Sequence, residues 1–488
     1  MIWLLLLGLI IYLLVQRLTG ITRTRIWLLW LVAMLPAFVL VVWAIANGGR
    51  PLPTSLAIGL FAGCLVLYLL LIQRGRIPPK TATDPTSTDD AVEPPPEIQP
   101  PEMPALRPLT KAEENELPKC FPWSAFYLQN IEYRPQAVVC RGQLRSQPDV
   151  AYQTVRDNVE QMFGDRFYVG LQESAGRKPF FVLSPNPHSS AEGKPPLQLR
   201  RPRIAIVLAI ITLFTTTLAG LEIGGRILSN PLIFLDGLPY TAAMLGFFAM
   251  RALGHYLTAQ KYKIAVTLPF FIPVIPLSLF PLGSLGAFSQ IRSPIPDRRA
   301  LFDVGAIGPM LGLCICIPVL AWGLTLSSVV GVSNTNGVFD YGTLDPRFSI
   351  VLAVFSKLAL GQIVTSLTAL KLHPIAAAGW FGLIFTAFNL MPIGQLDGGR
   401  IVHAMYGQRT GTLIGQCSKL LLVGFAIAHP YLRPWALLML LLPAADEPAL
   451  NDVTEVDRGR DALGLGMLIL LLLVVLPVPK MLAKGLGM

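Results

Sequence analysis

The sequence predicts a mainly α, polytopic helical membrane protein of about ten spans that carries a small cytoplasmic α+β (βαββ) domain. Three observations predict it. The 488 residues are 53% hydrophobic and only 14% charged, with mean hydropathy +0.57, which is too apolar for an ordinary soluble domain. Apolar runs of spanning length recur in two blocks, and the basic residues sit in short clusters beside them, as cytoplasmic membrane flanks do. Between the blocks lies a stretch whose apolar residues follow first helical and then strand spacing.

The first block, residues 1–76, holds apolar runs at 2–15, 26–46 and 55–72. The second and third are long enough for a hydrocarbon core of ~30 Å, and the first is slightly short. The opening run has no basic leader and no small-residue cleavage site, so it reads as a retained span. Arg17, Arg23 and Arg25 separate the first two runs, and Arg74, Arg76 and Lys80 come after the third. The positive-inside rule therefore puts the N-terminus outside and delivers the chain into the cytoplasm after the third span.

Residues 77–118, rich in Pro, Thr, Asp and Glu, read as a disordered linker. Residues 119–200 read as the soluble domain. There "AVVC" suits a strand, and Val155, Val159, Met162 and Phe163 recur at helical spacing before Gly164, a natural C-cap. Phe167, Val169 and Leu171 then alternate along a strand, and "PFFVL" returns as another.

The membrane core occupies residues 201–488, with spans expected at 204–224, 236–256, 302–326, 375–393, 411–428, 432–445 and 462–478. The apolar stretch Leu268 to Phe288 contains four prolines, which suits a re-entrant loop or short strands sheltered within protein. Asp397 reaches the depth of His255 only if the 348–370 segment is half-inserted or lies outside. The bilayer is thus one partner. Nucleic acid is not expected despite the net charge of +10, because that charge is explained by the membrane flanks. The six cysteines show no CxxC spacing, so neither a disulfide framework nor a thiolate zinc site is indicated.

Two motifs carry chemistry. "RALGHY", Arg251 to Tyr256, ends an apolar run and places one histidine on a helix face. "FNLMPIGQLDGGR" breaks an apolar helix at Asn389 and Pro392 and delivers Asp397 beside the membrane, where ionisable groups are rare and usually functional. Either feature alone also suits a helix end at the interface, with Asp397 as an N-cap.

Together with "SLGAFSQIRSPIPDRRALFDVGAIGPMLG", "LHPIAAAGWFGLIFTAFNL" and "PALNDVTEVDRGRDALG", these stretches resemble the site-2 protease family of intramembrane zinc metalloproteases, in its chloroplast and cyanobacterial branch. The resemblance spans most of residues 120–478. It implies a zinc site built from an HExxH helix and a later Asp-Gly-bearing helix, and a thylakoid or plasma membrane setting. By that resemblance His255 matches the second zinc histidine, Asp397 the third ligand, and Asn389 an asparagine that polarises a scissile carbonyl. Arg251 stands where the first zinc histidine belongs, Ala252 where the catalytic glutamate belongs, and Arg400 where relatives often have a histidine. In the soluble domain "CRGQLR" resembles the branch's Gly-Asn-Leu-Arg motif, with Gly142, Leu144 and Arg145 matching and Gln143 in the Asn position.

Guanidinium has no lone pair to donate to a metal, and its charge repels one. Losing the general base costs ~10²- to 10⁴-fold by itself. The sequence therefore favours a homologue with remnant ligands His255 and Asp397, little or no zinc, and an Arg251 to Asp397 ion pair that joins the two helices. Such a protein would bind membrane-protein clients without cutting them. The rivals are an active zinc endopeptidase with a rebuilt site, and a transporter or channel. His403, His373, His188 and His429 are not expected to complete a metal site.

Overall fold

A computed structural model describes residues 109, 111–134, 137–174, 176, 178–186, 202–226, 231–274, 282–331, 340–365, 367–428 and 432–488, with isolated positions between 27 and 67. The chain divides into two compact units, residues 1–102 and 103–488. In the first, the described positions from 27 to 39, and 64 and 67, are helical. The expected first span and almost all of the expected linker lie outside the described residues, as do His188 and His429.

The second unit opens with a short helix α1 (Lys111–Glu116) and a 3-10 turn (Leu117–Cys120), inside the stretch that its composition suggests is linker. Then come strands β1 (Phe126–Arg134) and β2 (Ala137–Leu144), helix α2 (Pro148–Phe163), and strands β3 (Phe167–Glu173) and β4 (Pro179–Pro185). The sheet is antiparallel with order β1-β2-β4-β3. The expected βαββ unit is thus ββαββ. Strand β1 escapes the sequence reading because its exposure does not alternate: only Phe126 is fully buried, and a register irregularity falls between Leu128 and Asn130. Helix α2 buries Tyr152, Val155, Val159 and Phe163 against the sheet, and Gly164 (φ 64°) ends it as expected. Phe121, Phe126 and Phe181 pack edge to face at the centre. All six cysteines are free, and burial pushes the Cys120 and Cys140 thiols up to about 11 and about 12, so both are inert side chains of this core.

The membrane core begins with α3 (Pro202–Ile223), α4 (Leu238–Lys261), the hairpin β5 (Phe270–Pro273) and β6 (Ser284–Phe288), α5 (Arg298–Thr325), β7 (Ser328–Gly331), α6 (Ile350–Leu360) and β8 (Thr368–Lys371). It continues with α7 (Pro374–Leu390), α8 (Asp397–Tyr406), α9 (Gln408–Ala428), α10 (Arg433–Leu441), α11 (Arg458–Val475) and α12 (Lys480–Gly485). Among the described residues four helices are long and apolar enough to cross a membrane: Pro202–Ile223, Leu232–Lys261, Arg298–Thr325 and Gln408–Ile427. Helix α7 is a shorter apolar helix.

The expected span at 432–445 is a nine-residue helix, and at 1.5 Å per residue it is far too short to cross. Helix α6 covers only 11 residues of the 348–370 segment before Gly361 (φ 66°) turns the chain into β8, so it too stops short of a span. The proline-rich stretch forms the β5–β6 hairpin, with residues 275–281 outside the described set.

Helix α5 is the organising element. Its N-cap Asp297 accepts a hydrogen bond from the Ala300 amide at 2.7 Å. Its small residues let α4, α7 and α8 approach closely. At the far end, Leu320 and Gly323 lie against the backbone of α7 at Gly379 and Ala376.

The soluble sheet is tied to this core by backbone. The segment between α10 and α11 runs beside β3, where the Leu171 amide donates to the Leu450 carbonyl at 2.6 Å and the Asp452 amide to the Leu171 carbonyl at 2.9 Å. The same segment pairs with the loop before α5, through Leu450 to Ile295 and Asn451 to Pro296, both at 2.9 Å.

Candidate functional site

Arg251 and His255 are one helical turn apart on α4, so their side chains share a face. Asp397 is the first residue of α8, brought opposite them because the chain breaks after α7 and restarts after six intervening residues. Arg251 Nη2 lies 2.5 Å from Asp397 Oδ2, and the two side chains are 9% and 6% exposed. His255 Nε2 lies 3.8 Å from the other carboxylate oxygen, Asp397 Oδ1, beyond hydrogen-bond reach.

Helix α5 forms the floor. A Cβ placed on Gly308 would sit 2.2 Å from His255 Nε2, and one on Gly305 would sit 2.9 Å from the Asp397 carbonyl and 3.1 Å from Arg400 Cβ. Two glycines one turn apart therefore seat the histidine and the start of α8. Phe385 of α7 closes the opposite side, with the Arg251 guanidinium carbon 5.4 Å from its ring centroid, a cation–π distance.

The structure brings Arg251, His255 and Asp397 together, with Arg400 near enough for its charge to act on the His255 ring. Ala252 is buried on α4 beside them and offers no polar atom. The Asn389 amide donates to the Phe385 carbonyl of its own helix at 2.8 Å. His373 caps α7 at its opposite end, accepting from the Ile375 amide at 3.3 Å.

The metal that the resemblance implies is zinc, and this donor set does not fit it. His255 and Asp397 are two donors where three are usual. The place of a third is taken by a guanidinium already bonded to the carboxylate that would bind the ion. Among the described residues no group of three or more His, Cys, Asp or Glu side chains is placed to hold a metal ion.

In the soluble domain Gly142 is required by packing, since a Cβ there would lie 2.1 Å from the Tyr127 carbonyl of β1. Leu144 ends β2, and Arg145 stands exposed over the rings of Trp123 and Tyr127 at 5.2 and 5.7 Å.

A second polar cluster escapes the sequence reading. His403, 2% exposed on α8, places Nε2 2.9 Å from Asp452 Oδ1 and Nδ1 3.7 Å from Asp446 Oδ2. Arg298 donates to the Ala404 carbonyl beside it at 2.8 Å. No local pattern signals it, because the partners lie 43 and 49 residues beyond His403 in a segment without periodicity. The cluster links α8, whose first residue is Asp397, to the segment that pairs with β3.

Burial opposes a charge on His403, but Asp446 and Asp452 overcome it and lift the imidazole to about 9. A raised folded-state pKa gives stability that is fully present below about 6.5 and is lost as pH rises through about 9. Thermal unfolding of the protein in detergent is expected to weaken between pH 7 and pH 9.5, by up to about 3 kcal/mol. His403→Gln should flatten that profile, and an unchanged profile in the variant would assign the pH dependence elsewhere.

With the geometry in hand, comparison with known proteins is specific. Residues 240–429 match the family model for peptidase family M50, and residues 115–191 match that of the EGY3 middle domain. The chain is 36% identical over 256 residues to the Arabidopsis thaliana protein named probable zinc metalloprotease EGY1, chloroplastic, covering 52% of this chain and 45% of that one. It is 28% identical to the rice (Oryza sativa subsp. japonica) protein of the same name over 409 residues, covering 76% of this chain and 68% of that one. To the Arabidopsis probable zinc metalloprotease EGY2, chloroplastic, it is 29% identical over 369 residues, covering 74% and 63%. The chain thus spans from under half to about two thirds of the length of these relatives.

Proposed function

We propose that this chain is a proteolytically inactive member of the site-2 protease family, peptidase family M50, in its plastid branch, and that it binds membrane-protein clients. The observation that carries the reading is the Arg251 to Asp397 ion pair. Zinc catalysis needs about three protein ligands, a bound water and a group to take that water's proton. Here the first ligand is a cation, the third ligand is occupied by it, and Ala252 holds the place of the base. What remains is a scaffold with a buried polar cluster among α4, α5, α7 and α8.

Client binding is supported by the β5–β6 hairpin. Gly286 of β6 lies against Phe385 and Phe248, and Phe385 in turn faces Arg251, so the hairpin packs beside the polar cluster. Leu285 and Phe288 are exposed there. An unwinding membrane segment can add to such a strand through main-chain hydrogen bonds. We place the soluble domain on the cytoplasmic or stromal face as a recruiting module, because basic clusters flank the spans that bound it. The membrane is a thylakoid or plasma membrane in this reading, which is consistent with relatives named chloroplastic.

Elemental analysis of the purified protein tests the reading. The natural sequence is expected to carry no stoichiometric zinc, whereas the double variant Arg251→His, Ala252→Glu should bind about one ion per chain. Stoichiometric zinc in the natural protein, lost on Asp397→Ala, would establish a rebuilt metal site instead.

A further inference from the structure

The site holds more positive charge than its ion pair uses. Arg251 is matched by Asp397, but Arg400, three residues further along α8, has no ion-pair partner among the described residues. Two guanidinium charges against a single carboxylate leave one positive charge unmatched. That balance equals the charge of a divalent metal bound beside one carboxylate, so the arginines replace the charge of the family's ion while removing its chemistry.

The unmatched charge comes with unmatched donors. Among the described residues, Arg251 Nη1 and Arg400 Nε are both inaccessible to solvent and have no hydrogen-bond partner. A buried donor left unsatisfied costs about 1–3 kcal/mol, and more when it is charged. Both side chains are positioned by packing rather than by that missing acceptor. Arg251 is held by Asp397 and by the Phe385 ring, and its Cγ lies 3.4 Å from the Cβ position of Gly312. Arg400 is held at its Cβ by Gly305. The acceptor that fits planar N–H groups on two cations is an anion with forked oxygens, and the arginine–carboxylate pairing is the standard instance.

The surroundings restrict what such an anion can be attached to. Phe385 stacks on Arg251 on one side, meets Phe248 edge to face at 5.1 Å, and underlies Gly286 of β6. An extended chain added alongside β6 would pass over these two rings toward the Arg251 guanidinium. We infer that the degenerate metal centre is a carboxylate-binding site, in which Arg251 and Arg400 receive the carboxylate of an extended apolar peptide segment. This deepens the client-binding reading and rests on it. The carboxylate is either a free C-terminus or an acidic side chain, two sources of one chemistry.

The test uses the full chain in non-ionic detergent and a short leucine-rich peptide in three forms: free C-terminal acid, C-terminal amide, and amide with one internal aspartate. Isothermal titration calorimetry is expected to give the acid an affinity roughly 10- to 100-fold above the amide, the range of a charge-assisted hydrogen bond. Tight binding of the aspartate peptide would assign the site to side-chain carboxylates, and weak binding would assign it to C-termini. Arg400→Gln should abolish the preference for the acid. Equal affinities for acid and amide in the natural protein would overturn the inference, whatever the variant does. Zinc analysis of the same sample separates the two levels. Stoichiometric zinc overturns the client-binding reading as a whole, whereas a zinc-free protein without acid preference overturns the carboxylate site alone.

Discussion

Arg251→Ala is expected to lower the stability of the membrane core by about 3–5 kcal/mol, the usual cost of removing one partner from a buried ion pair. The reason is the state of what remains. Asp397 is 6% exposed, and its oxygen Oδ2 would lose its donor in a low-dielectric site. His255, at 3.8 Å from the other oxygen, is too distant to replace that hydrogen bond.

Asp397→Ala should cost a similar amount, by stranding the guanidinium. The double variant removes both charges together and should lose much less than the two single losses combined. Thermal unfolding in detergent, followed through the buried Trp380, provides the cycle. Additive losses would show that the two groups are not energetically coupled, and the ion pair would then not be what joins α4 to α8. Arg251→Lys is expected to fall between the natural protein and the alanine variant, since an ammonium keeps the charge but lacks the planar face that stacks on Phe385.

The legibility of the sequence depends on the range of each interaction. The long helices α3, α4, α5 and α9 lie near the expected boundaries, because hydropathy over about twenty residues is a local property. Arg251, His255 and Asp397 were legible as chemistry because ionisable residues stand out against apolar runs. Their meeting rested on resemblance, since nothing local to either helix specifies a partner 146 residues away.

The four-residue strands β7 and β8 were not legible: they pair across 36 intervening residues and are too short to show alternation. Arg400 was read only as a substitution. That it has no acid partner among the described residues is a fact about the surrounding helices, which its own neighbours in sequence do not carry. The His403 cluster is hidden for the same reason, although it lies on the helix that begins with Asp397.

Substitution at Gly323 is expected to be severely damaging to the scaffold. A Cβ there would fall 2.2 Å from the Ala376 nitrogen and 2.4 Å from its Cα, both backbone atoms. Neither can rotate away, so α5 and α7 would have to separate. Gly323→Leu should therefore prevent recovery of a monodisperse protein from the membrane, well beyond the ~1–3 kcal/mol of ordinary overpacking. Gly424→Leu is the matched control, because no atom lies within 4 Å of a Cβ at that position on α9. Gly308→Ala makes the complementary comparison. Its close contact is with the His255 ring, the far end of a side chain that can swing aside, so this variant should fold while shifting the histidine away from Asp397. Size-exclusion profiles of the three variants would rank these contacts directly. If Gly323→Leu behaved like Gly424→Leu, the helix crossing would be looser than the geometry requires, and α5 could not be the rigid floor that holds His255 and Arg400 in place.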